Sequence, residues 1–255
     1  MSGRVRLDVD GPLARVTLSH PGKFNAMSRA MWRELREVFE ALQARTGLRC
    51  VIVAGEGGHF CAGGDIAEYP DFRFDEARLR EFHEGEVWGG LGAMLACDLP
   101  LIAQIEGNCM GAGVEIACCC DIRLSAVTAR FGAPIARLGF PMAPREVQLV
   151  LREAGALTLR EMLLEAAVLD ASEMKARGFL NALVPTGEVA AQAQERAQRL
   201  AQLAPQAARQ NKQALRDLVR AAPPAALLDK AYRYADSAEH QEGIAAFLDK
   251  RRAAF

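Results

Sequence analysis

One glutamate, placed directly after a tight turn of small residues, is the strongest candidate for chemistry in this sequence. Glu115 follows the turn Gly111-Ala112-Gly113 and belongs to the apolar run 114–120, which predicts a buried helix. The first N–H groups of a helix have no acceptor within that helix, and they favour negative charge. We therefore look for the chemistry where this carboxyl group lies beside unused backbone N–H groups.

A second turn of small residues occurs earlier in the chain, at residues 60–66, and contains Gly63 and Gly64. It follows a predicted strand at 50–54 and again lets the backbone approach something closely. One such turn alone would be explained by a helix packing on a strand, with Glu115 merely complementing the helix dipole. The pair of turns favours a functional interpretation. The G-x-G-x-x-G spacing of a dinucleotide site is absent.

Length and composition set the limits of the interpretation. The chain has 255 residues, 51% of them hydrophobic, and a formal net charge of −1. This predicts one domain with an appendage or two small domains, and it argues against a nucleic-acid or membrane partner. The N-terminal residues show no apolar signal region, so we expect a cytoplasmic protein. The seven cysteines form no C-x-x-C pair and are interpreted as reduced core residues, not as metal ligands.

The elements that position the two turns follow from ordinary patterns. Residues 5–9 and 14–18 predict a hairpin, and residues 28–45 predict a helix with Ser28 as its N-cap. Residues 69–79 are charged and are expected to form a mobile surface segment. Beyond about residue 190 only helical patterns remain. The sequence therefore predicts an α/β core over 1–190 that holds the site, and a C-terminal helical region over 191–255.

Four motifs, in this order, give the chain a resemblance to a known family. They are Pro21 with Asn25-Ala26, the turn at 60–66, the stretch 107–115, and Phe247-Leu248-Asp249-Lys250-Arg251. Together they resemble the crotonase (enoyl-CoA hydratase/isomerase) superfamily over nearly the whole chain. The resemblance implies a spiral of repeated β-β-α units with a C-terminal all-α region that mediates oligomerisation. It also implies a homotrimer, or a dimer of trimers, that acts on an acyl-CoA thioester.

The same resemblance assigns residues to roles. The N–H groups of Gly64 and Ala112 would form an oxyanion hole for the thioester oxygen, with Glu115 as the acid/base. Residues that match the family's acyl-CoA path are Lys23, Phe24, Ala62, Asp65, Ile66, Phe247 and Lys250. For the two lysines a solvated charge is an equally good interpretation. No metal or separate cofactor is expected, because coenzyme A enters as part of the substrate.

One departure from the family's pattern bears on the reaction. Relatives that hydrate enoyl thioesters use a second glutamate, and its position is occupied here by Ile135, which cannot carry a proton. Glu146 could substitute, but its place in a helical first turn is explained more simply by helix electrostatics. Arg137 is a poor acid at neutral pH. The sequence therefore predicts Glu115 as the sole catalytic carboxylate and slow hydration of crotonyl-CoA.

Several functions remain open at this point. An enoyl-CoA hydratase or double-bond isomerase is the leading interpretation. An acyl-CoA decarboxylase or hydrolase on the same scaffold needs only the oxyanion hole and a different pocket wall. A non-catalytic acyl-CoA-binding protein would have no use for Glu115, so the retention of this residue favours an enzyme.

Overall fold

A large, mostly parallel sheet and a small sheet form the β-structure of this protein. The computed structural model describes residues 2–218 and five single residues near the C-terminus, at 238, 242, 249, 251 and 254. The order in the large sheet is β1-β2-β3-β4-β6-β9, and in the small sheet β5-β7-β8. The strands of this region are β1 (Arg4–Asp10), β2 (Leu13–Ser19), β3 (Cys50–Gly55), β4 (Leu101–Ile105), β5 (Asn108–Met110), β6 (Ile122–Ala126), β7 (Arg130–Gly132), β8 (Val168–Asp170) and β9 (Ala182–Val184).

Helices follow the strands along the chain and cover the sheets. Two 3-10 turns, Ile66–Asp71 and Pro134–Leu138, and a π-helical segment, Phe82–Val87, interrupt the regular elements. The α-helices of the described region are α1 (Arg29–Gln43), α2 (Glu76–Glu81), α3 (Trp88–Ala96), α4 (Ala112–Cys118), α5 (Pro144–Ala154), α6 (Ala156–Leu164), α7 (Ala171–Ala176), α8 (Val189–Ala201) and α9 (Pro205–Leu218).

The large sheet begins with the predicted hairpin and continues with parallel strands. β1 and β2 pair antiparallel, which confirms the hairpin, and β3, β4, β6 and β9 then add in parallel. β4 is buried along its whole length, as expected of a parallel strand covered on both faces. Its chain continues through Gly107 into β5, which belongs to the small sheet. The turn Gly111-Ala112-Gly113 therefore lies at the end of β5, where the chain leaves the small sheet and enters α4.

Helix α1 shows how the sequence pattern positions a cavity wall. Ser28 is its N-cap, and the side-chain oxygen of Ser28 accepts a hydrogen bond from the N–H of Met31, as predicted. The buried face of α1 repeats at helical spacing and includes Trp32, Leu35 and Phe39. These side chains join the main core cluster together with the first glycine turn.

The C-terminal region begins with a helix that packs on the sheet. Val189, Ala193 and Ala197 of α8 form a second apolar cluster with residues of β3, β4 and β6. Small side chains on α8 let this helix approach the sheet closely. The division into parts at residue 190 stays a prediction, and most of the residues beyond 218 lie outside the described part of the chain.

All seven cysteines are buried and unpaired, which confirms their interpretation as reduced core residues. Burial raises the pKa of each thiol, to about 12 for Cys50, Cys61 and Cys120. Among the helices in the described residues, none is long and apolar enough to cross a membrane.

Candidate active site

The two glycine turns are joined by backbone hydrogen bonds. Cys61 and Cys109 form an isolated parallel bridge. The N–H of Cys61 donates to the carbonyl oxygen of Asn108 at 2.9 Å, and the N–H of Met110 donates to the carbonyl oxygen of Cys61, also at 2.9 Å. The turn at 60–66 and the turn before α4 are therefore held together as one rigid unit.

Two glycines are required for this close approach. A Cβ on Gly113 would lie 2.6 Å from the carbonyl oxygen of Cys61, well inside van der Waals contact. Gly111 has a φ of +46°, a conformation that favours glycine, and a Cβ there would lie 3.7 Å from the Cα of Gly63. The small residues noted in the sequence thus bring the two backbones into contact.

We expect Gly113→Ala to separate the turns. Because the added methyl group meets backbone and not a flexible side chain, the variant should lose about 1–3 kcal/mol of unfolding free energy, measured by urea denaturation. Gly47→Ala is the matched control, because a Cβ at Gly47 meets nothing within 4 Å. Equal stability of the two variants would show that the turns are not in tight contact.

Two backbone N–H groups of this unit have no acceptor. Within the described residues, neither the N–H of Gly64 nor that of Ala112 donates to a protein atom. One neighbour of each is occupied, since the N–H of Asp65 donates to the carbonyl oxygen of Met27 and the N–H of Gly111 donates to the carbonyl oxygen of Gly132, both at 2.8 Å. Gly64 and Ala112 are the two residues expected to supply the oxyanion hole, and both line the same cavity.

This cavity has a volume of about 210 Å³ and joins both turns. Of the predicted site residues it is lined by Ala62, Gly64, Ile66, Ala112 and Glu115. The rest of its wall is largely apolar and includes Ile135, the residue that the sequence resemblance aligns with a second glutamate. A cavity that is mostly apolar with a few convergent polar groups is typical of a small-molecule site.

Glu115 lies in the first turn of α4 and is only 8% exposed. No group within the described residues donates a hydrogen bond to its carboxylate, so the carboxyl group is available to a ligand. Burial, and next the negative charge of Glu146, raise the pKa of Glu115 well above its usual range. A buried carboxyl group with a raised pKa can hold a proton at neutral pH and deliver it.

Several residues of the cavity wall were not assigned to the site from the sequence. They are Tyr69, Arg73, His83, Phe140 and Glu146. The guanidinium of Arg73 lies 3.6 Å from the ring centroid of Phe140, and its Nη1 is buried without a partner in the described part of the chain. Burial raises the pKa of Tyr69 to about 12.

The expectation of a surface segment at 69–79 is wrong at one position that shapes the cavity. Residues 74–78 are exposed, but Phe72 is buried and its ring centroid lies 4.5 Å from that of Phe82. The rings of Tyr69 and Phe72 pack against Phe82 of the π-helical segment, and Tyr69 and Arg73 line the cavity. The spacing of Tyr69 and Phe72 in the sequence could have indicated that these rings pack against the core. The many charged residues around them favoured the surface interpretation instead.

Among the remaining residues of the expected acyl-CoA path, Lys23, Phe24 and Asp65 contact one another or the turn at 60–66. The Nζ of Lys23 forms an ion pair with Asp65 at 2.6 Å, and this lysine is half-exposed. Phe24 is exposed, has a φ of +47°, and accepts a hydrogen bond from the N–H of Ala62. Phe247 and Lys250 lie outside the described residues. The described residues contain no group of His, Cys, Asp or Glu side chains arranged to hold a metal ion.

Comparison with known proteins identifies the family. Residues 9–255 match the family model of enoyl-CoA hydratase/isomerase, so the chain belongs to this family. The structure of an enoyl-CoA hydratase/carnithine racemase from Magnetospirillum magneticum is 37% identical and has a TM-score of 0.94, covering 98% of this chain and 94% of that one. This likeness confirms the crotonase-like α/β fold.

Curated relatives agree with the structural comparison. A probable enoyl-CoA hydratase, echA8 of Mycobacterium bovis, is 29% identical over 98% of this chain and 97% of its own length. A 2,3-dehydroadipyl-CoA hydratase of Escherichia coli is also 29% identical, over 92% of each chain. The protein is therefore an acyl-CoA-processing enzyme of the crotonase type.

Proposed function

We propose that this protein is an enoyl-CoA hydratase or double-bond isomerase that stabilises a thioester enolate at Gly64 and Ala112. One observation carries the proposal: two N–H groups without acceptors and a buried carboxyl group line the same cavity. The relatives named as hydratases support the same reaction class.

The chemistry follows from the thioester. Its α-carbon becomes acidic, and the β-carbon of an enoyl thioester becomes electrophilic, only if negative charge on the carbonyl oxygen is stabilised. Rigid backbone donors do this without reorganising, and each is typically worth about 2.7–4 kcal/mol. The bridge between Cys61 and Cys109 fixes both donors in advance. Glu115 then exchanges a proton with the bound acyl group.

The coenzyme A part is proposed to leave the cavity past Ala62, Asp65 and Ile66. Ile66 is 49% exposed and lines the cavity, which places an apolar side chain at its mouth. Lys23 is held close by its ion pair with Asp65 and can turn its charge toward a phosphate group. Phe24 offers an exposed ring beside it. The assignments of Phe247 and Lys250 stay predictions.

No metal or separate cofactor takes part in this proposal, because backbone donors supply the electrophilic assistance. The assembly as a homotrimer or a dimer of trimers and the cytoplasmic location also stay predictions. The acyl-CoA thioester is the only partner that the proposal requires.

A panel of thioesters in the presence of EDTA tests the proposal. We expect turnover of at least one trans-2-enoyl-CoA or 3-enoyl-CoA, seen by mass spectrometry as the gain of one water or by absorbance as a double-bond shift. Saturated acyl-CoA should remain intact. Release of free coenzyme A or of carbon dioxide, or activity that returns only with added zinc or magnesium, would contradict the proposal.

A further inference from the structure

A second carboxylate, Glu146, lies in the same cavity as Glu115. It occupies the first turn of α5 and is only 2% exposed. Its Oε2 accepts a hydrogen bond from the N–H of Ala143 at 3.0 Å, and its Oε1 lies 3.0 Å from the Nδ1 of His83. The carboxylate is therefore fixed in orientation by two contacts from two different segments.

The contact with Ala143 confirms that Glu146 supports the start of α5, but this role does not account for its burial. Glu173 makes the same kind of contact in α7, where its carboxylate accepts a hydrogen bond from the N–H of Asp170 at 2.9 Å, and Glu173 is exposed. A glutamate can thus cap the start of a helix while its side chain stays exposed to water. Burying a carboxylate beside a second one costs free energy that a cap alone does not require.

The charged groups near Glu146 line the same cavity as Glu146 itself. Within the described residues, only His83 lies within ion-pair distance of it. Glu115 and Arg73 share the cavity with this pair, and Tyr69 completes the titratable groups of the lining. His83 itself lies in the π-helical segment Phe82–Val87, a local irregularity that frequently occurs at functional sites.

We propose that Glu146 is the second acid–base group of this site, and that it takes over the role left vacant by Ile135. His83 acts as a positioning residue that holds the carboxylate toward the bound acyl group. The inference rests on the proposed function. It replaces the expectation of a single catalytic carboxylate, because the fold brings α5 and α4 to the same cavity.

Glu115 and Glu146 together account for every proton transfer in the hydration reaction. The ionised member takes a proton from water as the water oxygen bonds to the β-carbon. The electrons of the double bond move to the thioester oxygen, where Gly64 and Ala112 donate hydrogen bonds. The protonated member then delivers its proton to the α-carbon as the carbonyl group forms again. One water is added, and the proton returns between the two carboxyl groups before the next turnover.

The burial of Glu115 and the contacts of Glu146 assign the two roles. Burial and the neighbouring charge raise the pKa of Glu115, so Glu115 is the protonated member in the free protein. Glu146, whose carboxylate is fixed by Ala143 and His83, is assigned as the base toward water. Addition of water to a double bond requires one group that accepts a proton and one that donates a proton, and two carboxyl groups line this cavity.

Glu146→Gln tests the inference, with Glu173→Gln as the matched control. Both variants lose a charge at a helix start, but only Glu146 lines the cavity. We expect kcat for hydration of crotonyl-CoA, and of the fastest enoyl-CoA of the panel, to fall by about 10²-fold or more in Glu146→Gln, with KM nearly unchanged. Glu173→Gln should match the unaltered protein.

The pH profile separates catalysis from a structural role. The dependence of kcat/KM on pH should be the same in the unaltered protein and in Glu173→Gln, and it should differ in Glu146→Gln if Glu146 takes part in proton transfer. Because His83 can also titrate, the pH profile is measured as well for His83→Asn, which keeps an N–H donor but does not titrate. A difference between the profiles of this variant and the unaltered protein is the contribution of His83. His83→Phe should lower kcat by about tenfold or more, since misplacing a catalytic group by about 1 Å can cost about 10²-fold.

Each outcome decides between the inference and the proposed function. If the unaltered protein hydrates no enoyl-CoA, the hydratase function on which the inference rests fails. If it hydrates enoyl-CoA and folded Glu146→Gln does so equally well, Glu146 is only a helix cap. An unchanged rate in His83→Phe, together with a slow Glu146→Gln, overturns the positioning role of His83.

Discussion

Replacing Glu115 by glutamine is expected to lower turnover of the enoyl-CoA substrate by about 10²–10⁴-fold, the range of a positioned acid or base. Glutamine has nearly the same shape but cannot release or accept a proton. Since no described group donates a hydrogen bond to Glu115, the substitution breaks no protein contact. Binding of a non-reactive acyl-CoA, measured by calorimetry, should therefore stay within a few-fold. Full activity of the variant would remove Glu115 from the mechanism.

The thermal stability of Glu115→Gln gives an independent test of the raised pKa of Glu115. A carboxyl group whose pKa is raised in the folded state binds more protons folded than unfolded, so it destabilises the protein as the pH rises above about 4.3, the usual pKa of glutamate. The variant should thus melt higher than the unaltered protein at pH 7. The difference should shrink as the pH is lowered toward 4. A variant that melts lower at neutral pH would show that the carboxylate is stabilised, not strained, by its surroundings.

Replacing Ala112 by proline is expected to reduce kcat by about 10²–10³-fold, because it removes one donor of the oxyanion hole. Ala112 is the first residue of α4, a position where proline is well tolerated, and its N–H serves no hydrogen bond in the described structure. The loss should therefore be one of catalysis and not of folding. Rates are to be measured on the enoyl-CoA that the unaltered protein converts fastest.

Ala112→Gly is the matched variant for this test. It changes the same side chain but keeps the N–H group, so its kcat should stay within a few-fold. Proline also restricts the residue before it, and Gly111 has an unusual backbone conformation, so folding is checked first by circular dichroism. A folded proline variant with unchanged turnover would show that Ala112 does not contact the thioester oxygen.

Much of the site could be predicted because its signals are local. A glycine turn between a strand and a helix reveals free N–H groups from a few neighbouring residues. The capping contact of Ser28 and the β1–β2 hairpin are equally local and were found in the same way. Glu115 stood out because a carboxyl group within an apolar run has few structural explanations.

Glu146 could not be assigned because its local and distant roles coincide. An acid in a helical first turn is expected for electrostatic reasons alone, and the contact with Ala143 shows that those reasons apply. What sets Glu146 apart is its burial beside Glu115 and His83. Those residues lie far away in the sequence, and only the packing of α5 against α4 brings them together. Tyr69 and Arg73 were missed for the same physical reason.

The buried cysteines have a practical consequence for watching this protein at work. Thiol reagents attack the thiolate, and burial raises the pKa of all seven native thiols, so we expect each of them to react slowly. The unaltered chain should therefore show little background labelling with a maleimide reagent. A fluorophore on Leu138→Cys, at an exposed position of the cavity wall, would then report the arrival of an acyl chain in a protein with no other cysteine removed.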